Sequence, residues 1–326
     1  MINAATVIPM SLSGKVCIVT GAGSIQGIGF DSSSPIFAFF TSHATVKAFA
    51  QNGAAVIYIT DISDDHLEPF ANEIAAAYPA VTAIARRVDA ASETDIKLLV
   101  ADAIEQFGRL DVFFANAGVG GLVKSIEDMA AEEFMETLQV NTLSVFLAIK
   151  YAADAMQITG KNCKEASGGS IIATSSGSSS LEMVIRPRSC KWEVYIDCRV
   201  NPTFHCLYIL VVAGLRASGA SPDYAASKAA IVNLVQWASS YYTNKNIRIN
   251  AVCPGVIKTD MSKGLFQRGA EEALQSIVSN TPLHRYGTPN EVADFVLFLA
   301  SNASAFINAQ TLVIDGGLSS RLTPAL

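Results

Sequence analysis

The sequence predicts an α/β fold: a doubly wound parallel sheet of seven strands with helices on both faces, in one domain spanning 11–320. Two observations carry this. Short apolar runs rich in β-branched and aromatic residues recur without the alternation of a half-solvated strand, which marks burial on both faces. Between them lie longer stretches whose apolar residues repeat at helical spacing, so strand alternates with helix and each crossover is expected to be right-handed.

The elements follow in order. Val16-Cys17-Ile18-Val19-Thr20 is the first strand and runs into a glycine-dense turn, Gly21-Ala22-Gly23-Ser24-Ile25-Gln26-Gly27-Ile28-Gly29. Ala55 to Thr60, ending in Asp61, is the second strand; the third lies near Val81 to Val88 and the fourth is Leu110 to Ala115. Ile96, Leu99, Val100, Ala103, Ile104 and Phe107 place a helix between the last two, with Ser92 as its cap. A long helix over Ala130 to Met156, a strand Ser170 to Thr174, a helix Tyr224 to Tyr242 and a strand Ile247 to Val252 continue the pattern. Helices near 270–280 and 289–300 precede the last strand, Thr311 to Ile314. There is no internal repeat and no Pro- or Ser-rich linker, hence one domain.

Two stretches break the rhythm. Residues 31–43 sit where the helix after the glycine turn should already be running, and Pro35 inside it would cost about 3 kcal/mol. Without them, Gly27-Ile28-Gly29-Phe30 leads directly into Ala44 to Ala50, a good helix former that ends at Asn52-Gly53. Residues 177–211 lie between a strand and a helix, where a short loop is usual.

Composition narrows the function. Half of the 326 residues are hydrophobic, which excludes a disordered chain. Only 16% are charged and mean hydropathy is +0.33, yet the longest near-continuous apolar run, Phe204 to Leu215, is too short for the ~20 residues of a membrane span. No basic start followed by an apolar core precedes Lys15, so a cytoplasmic protein without a secretory signal is expected. A net charge of −6 with scattered basic residues argues against nucleic acid or an anionic membrane as partner and favours a small molecule. The six cysteines are expected to be reduced thiols; Cys190, Cys198 and Cys206 cluster near His205 without the paired spacing of structural zinc, so no metal is expected.

The glycine turn between strand and helix would bring backbone N–H groups and a helix N-terminus to a pyrophosphate, with Gly21, Gly23, Gly27, Ile28 and Gly29 as candidate cofactor contacts. Any α/β protein has tight turns, so the motif alone is weak. Asp61 strengthens it, because a carboxylate there accepts the ribose hydroxyls of NAD and repels the 2′-phosphate of NADP. NAD is therefore preferred, with NADP left open. Tyr224-Ala225-Ala226-Ser227-Lys228 places a lysine four residues after a tyrosine, on one helix face. A cation beside a phenol favours phenolate, drawing its pKa from near 10 toward the working range of a general acid/base.

With Asn116-Ala117-Gly118 after the fourth strand, this ordered set resembles the classical short-chain dehydrogenase/reductase family, a Rossmann-type fold, from Ser11 to Gly317 outside the two interrupting stretches. The family's serine lies 13 residues before its tyrosine, and deleting 177–211 brings Ser176 to that spacing from Tyr224. Both stretches therefore read as in-frame insertions of the kind a retained intron would encode, 48 residues that leave a 278-residue domain. The alternative is that they are genuine elaborated loops. The glycine turn is two residues longer than the family's Thr-Gly-x-x-x-Gly-x-Gly, and Phe306-Ile307-Asn308-Ala309-Gln310 replaces its usual Tyr-Ile-Thr-Gly-Gln.

The resemblance implies an NAD(P)-dependent oxidoreductase acting on the CH–OH group of a secondary alcohol or on a ketone, working as a homodimer or homotetramer through the helices at 130–156 and 224–242. Tyr224 would be the general acid/base, Lys228 would lower its pKa and hold the nicotinamide ribose, Ser176 would bind the substrate oxygen, and Asn141 would support Lys228 through water. Asp89 is implied on the adenine side; Pro254, Gly255, Ile257 and Thr259 are implied at the nicotinamide. Substrate contacts are expected after Asn116, near 215–222 and in 261–283, with the substrate open among steroid, polyol, acyl-thioester and specialised-metabolite chemistries. Two rivals stand: a dinucleotide-binding protein whose insertions have impaired catalysis, and a sugar-nucleotide epimerase or dehydratase, which would need a longer C-terminal substrate domain.

Overall fold

The structure, a computed structural model, describes residues 10–23, 40–122, 124–160, 163–176, 221–257 and 278–320. In chain order they form β1 (Val16–Thr20), α1 (Phe40–Gln51), β2 (Val56–Asp61), α2 (Leu67–Ala77), β3 (Thr82–Arg87), α3 (Glu93–Phe107), β4 (Val112–Ala115) and α4 (Ala131–Leu138). A π-helical segment (Gln139–Leu143), α5 (Ser144–Met156), β5 (Gly169–Thr174), α6 (Pro222–Tyr241), β6 (Ile247–Pro254), α7 (Pro289–Ala300) and β7 (Thr311–Ile314) follow.

The strands make one seven-stranded sheet in the order β3-β2-β1-β4-β5-β6-β7, every pair parallel. The apolar runs behave as their composition demands. Every residue of β1, β2 and β4 is buried, whereas β3 at one edge turns Thr82, Arg86 and Arg87 to solvent, a common protection of an unpaired edge. Side chains alternate between two apolar layers. On one face Ile18, Tyr58 and Phe113 pack against α3, α5 and α6; on the other Val19, Ile57 and Phe114 pack against α1, α2 and α7.

Local chemistry fixes the helix ends. Ser92 caps α3 as expected, accepting from Asp95 N–H, and Gly108 closes the helix at φ 69°, a left-handed value that glycine adopts without strain. α7 starts with Pro289 behind a capping box of Thr288 and Glu291. The helix expected over Ala130 to Met156 is three pieces, its middle turn widened to a π segment. Among the described residues α1 runs from Phe40, so Phe40–His43 belong to the helix in this chain, while the join of Gly27–Phe30 to Ala44 belongs only to a chain lacking 31–43. These residues are built in: Thr41 and Ser42 are buried, and His43 stacks edge-on against Phe70 at 4.1 Å, its burial lowering its pKa to about 4. The rest of the first interrupting stretch, all of 177–211 and the helix expected near 270–280, except for helical 278–280, lie outside the described residues. No described helix is long and apolar enough to cross a membrane.

The strand order reverses between β1 and β4, and in such sheets the crevice at the carboxyl ends of the strands is where ligands bind. Almost all candidate residues that the structure describes lie along this edge.

Candidate active site

β1 ends in Thr20, whose hydroxyl oxygen accepts from the N–H groups of both Asn116 and Ala117 at 3.1 Å, fixing the loop after β4 to the glycine turn. Gly21 follows at φ 71°; a side chain there would meet Ala117 Cα at 3.0 Å, so the two loops touch through backbone. Gly23 packs on β2: its N–H donates to Asp61 Oδ2 at 3.0 Å, and an added Cβ would strike Asp61 and Leu67 at under 3 Å. Asp61 is buried and its other oxygen accepts from Ser63 N–H at 3.1 Å. A carboxylate accepts at about four positions, so beyond these described partners there is capacity for two ribose hydroxyls. The donor set and the glycine cradle thus fit a dinucleotide's adenosine half. Asp89 follows β3, beside β2 through the bond from Val88 N–H to Asp61 O at 2.8 Å, with one oxygen accepting from Ala91 N–H.

Asn116 joins three strands and a helix. Its amide nitrogen donates to Ser42 Oγ at 2.7 Å, its carbonyl oxygen accepts from Thr174 Oγ1 at 2.7 Å, and Ser42 in turn donates to Thr20 O at 3.0 Å. Gly118 lies over the centre of the site, where an added Cβ would come within 2.9 Å of Asn141 Oδ1 and 3.5 Å of Lys228 Nζ. Asn141, fully buried, sits in the π segment. Its oxygen accepts from Val119 N–H at 2.7 Å, and its nitrogen donates to Val119 O and to Ser227 Oγ, both at 3.0 Å. A π turn shifts side chains off the regular helical face, and such turns recur at functional sites.

α6 carries the central pair. Tyr224 and Lys228 are both buried, one helical turn apart, with the ammonium 5.5 Å from the phenol ring centroid. Lys228 Nζ donates to Thr174 O at 3.0 Å at the end of β5, and Ser175 Oγ donates to Lys228 O at 2.9 Å. Burial lowers the Lys228 pKa to about 8, which leaves it mostly cationic at neutral pH. Ser176 is buried at the end of the same strand. Cys253, beneath it in β6, has its thiol pushed up to about 11 by burial and stays protonated.

Pro254 ends β6 and Gly255 follows it toward the β7 turn: Gly255 N–H donates to Ile314 O at 2.9 Å, and a Cβ on Gly255 would clash with Asp315 at 2.7 Å. Ile257 bridges to Gly287 and packs into the α1/α7 layer. Gly27, Ile28, Gly29 and Thr259 lie outside the described residues. The structure thus gathers Gly21, Gly23, Asp61, Asp89, Asn116, Ala117, Gly118, Asn141, Ser176, Tyr224, Lys228, Pro254, Gly255 and Ile257 along one sheet edge. It adds Thr20, Ser42, Thr174 and Ser227, which sequence reasoning missed. Strand-end threonines were the one available hint; their partners are fixed only by the fold.

Residues 15–187 match the family model for short chain dehydrogenase and 205–319 the model for enoyl-(acyl carrier protein) reductase, leaving 188–204 between them. The chain is similar to a 3-oxoacyl-[acyl-carrier-protein] reductase of Thermotoga maritima, at 31% identity over 95% of this chain and 99% of the relative. It is also similar to a cyclohexanol dehydrogenase of Acinetobacter sp., at 29% identity over 94% and 96%. Among solved structures, levodione reductase superposes with a TM-score of 0.73 at 26% identity, covering 95% of this chain and all of that one.

Proposed function

The chain belongs to the short-chain dehydrogenase/reductase family, oxidoreductases of alcohols and ketones, and on that premise we propose that it interconverts a secondary alcohol and a ketone with Tyr224 as general acid/base and NAD as the preferred dinucleotide. One observation carries this reading: a buried lysine, anchored by the Thr174 carbonyl, is held against the ring of a buried tyrosine at the switch-point edge of the sheet. A bound nicotinamide would supply the hydride donor or acceptor. The chain supplies the proton and the positioning. Tyr224 moves the proton at the substrate oxygen, Lys228 favours its phenolate through charge, and Ser176 hydrogen-bonds the same oxygen as charge develops on it. Asn141 braces the loop that covers Lys228 through its paired bonds to Val119. Asp61 would take the adenosine ribose hydroxyls, which favours NAD over NADP.

Tyr224→Phe should abolish turnover of a panel of secondary alcohols and ketones, followed by nicotinamide absorbance, while NAD binding by calorimetry stays close to wild type. Retained turnover would overturn the assignment. Trp237, stacked on Tyr241 at 5.6 Å with both rings largely exposed, supports assembly of copies through α6; a native mass of one chain by light scattering would contradict it.

A specific observation also favours the impaired-enzyme reading. The first described residue of α1, Phe40, lies eleven positions after Gly29 in the sequence, whereas the family pattern runs its glycines directly into that helix. Calorimetry on the full chain and on the chain lacking 31–43 and 177–211 separates the two. If the stretches are foreign insertions, the shortened chain binds NAD at least as tightly and turns over faster; weaker binding by the shortened chain makes the stretches native loops.

A further inference from the structure

Asp223 precedes the proposed general acid/base and has no part in the chemistry above, yet it is fully buried. Its Oδ2 accepts from Thr137 Oγ1 at 2.5 Å and from Leu122 N–H at 3.2 Å, while its Oδ1 has no partner among the described residues. One carboxylate oxygen therefore ties three separate pieces of chain: α4, the end of the loop that follows β4, and the first turn of α6. The loop lies directly on that turn. At Gly121, φ is 75°, and a Cβ would fall 2.5 Å from Ser221 Oγ, 2.9 Å from Asp223 Oδ2 and 2.9 Å from Tyr224 Cβ. Only glycine allows this approach.

A buried carboxylate is costly to keep, and a half-used one more so. What the arrangement achieves is geometric: the loop from Gly118 to Leu122 is held at one end by Asn141 and at the other by Asp223, so its whole span is fixed relative to Tyr224. We propose that Asp223 is a positioning residue, a latch that holds the Gly118–Leu122 loop as one wall of the substrate site. The inference rests on the Tyr224 reading. The latch needs an acceptor at the Oδ2 position rather than a charge, since both donors are neutral.

The test is made on the full chain with Asp223→Asn, Asp223→Ala, Thr137→Val and Gly121→Ala, reading steady-state kinetics together with hydrogen exchange of the peptide spanning 117–124. Asparagine keeps one acceptor for both donors, so its KM and its exchange should stay within about threefold of wild type. Alanine should raise KM about tenfold with little change in kcat, and should speed exchange at Leu122 by a similar factor. Thr137→Val removes one donor without changing shape and should give a smaller KM rise; Gly121→Ala, with the latch intact but the loop displaced, should resemble alanine at 223. Faster exchange with unchanged KM in Asp223→Ala would overturn the proposal, as would equal damage by asparagine and alanine. An inactive wild type would overturn the Tyr224 reading instead, and the exchange comparison would still decide whether the latch holds the loop.

Discussion

Lys228 is the residue that, on the proposed reading, sets the working range of the site. Burial lowers its pKa to about 8, and the two roles assigned to it, favouring phenolate at Tyr224 and binding a ribose, both need the cation or its donors. Loss of the charge above that pH removes the stabilisation of the phenolate. The alkaline limb of kcat/KM is therefore expected near pH 8, and Lys228→Arg, which keeps its charge, should move that limb upward at reduced kcat. A limb unchanged by the substitution would assign it to another group. At this scale the sequence was most informative where partners are local: Tyr224 and Lys228 are one helical turn apart. Thr174, whose hydroxyl holds Asn116 and whose carbonyl holds Lys228, gave no comparable sign, because both partners arrive from distant parts of the chain.

Elements explain how such residues are aimed. Apolar periodicity located the helix that bears Asn141, but not the π turn that directs it, since one widened turn leaves the flanking apolar pattern intact. The start of α1 is a sharper case. Phe40–His43 precede Ala44 at the spacing that Gly27–Phe30 would take if 31–43 were removed, so Gly29 would replace Ser42. That exchange loses the Ser42 hydroxyl, which bonds Thr20 O and Asn116, and gains a glycine at the helix start, where backbone can approach a phosphate. α7 offers an independent check on helix ends. The Thr288 hydroxyl oxygen accepts from Glu291 N–H, the Glu291 carboxylate accepts from Thr288 N–H at 2.8 Å, and Arg285 grips the same carboxylate through both terminal nitrogens. Thr288→Ala should cost about 1 kcal/mol of stability, measured by denaturant unfolding at neutral pH. The Arg285 guanidinium first, and then the Thr288 N–H, hold the Glu291 carboxyl down at about 2, so this contribution is present above the ordinary carboxylate range and fades as pH falls toward 2.

For the molecule as a whole, the proposed site lies at the carboxyl ends of the strands and a polar structural cluster at their amino ends. At the opposite end from the site, Asp111 takes Val16 N–H and both prongs of Arg109, and buried Lys164 donates to Leu110 O and Gly168 O. Burial lowers the Lys164 pKa to about 8, below its unfolded value near 10.5. Between those pH values the native chain releases a proton that the unfolded chain keeps, so this group adds stability as pH rises from 8 to 10.5, and a neutral amine still has two N–H groups for its two carbonyls. Cys17 and Tyr58, whose pKa values burial raises, act in the opposite direction. Subtracting the stability–pH curve of Lys164→Met from that of the wild type isolates the term; a flat difference across this window would refute it.

The sequence by itself determined the strands, their alternation with helices and the residues at each strand's carboxyl end, because burial on two faces and helical spacing are written in consecutive residues. It also placed Tyr224 and Lys228 on one face. Only the tertiary structure decided that α1 starts at Phe40, that Ser42, Thr20 and Thr174 knit the loops together, and that Asp223 joins the loop after β4 to α6. Those bonds link groups far apart in the chain, and a hydrogen bond between such groups leaves no periodic trace in the order of residues.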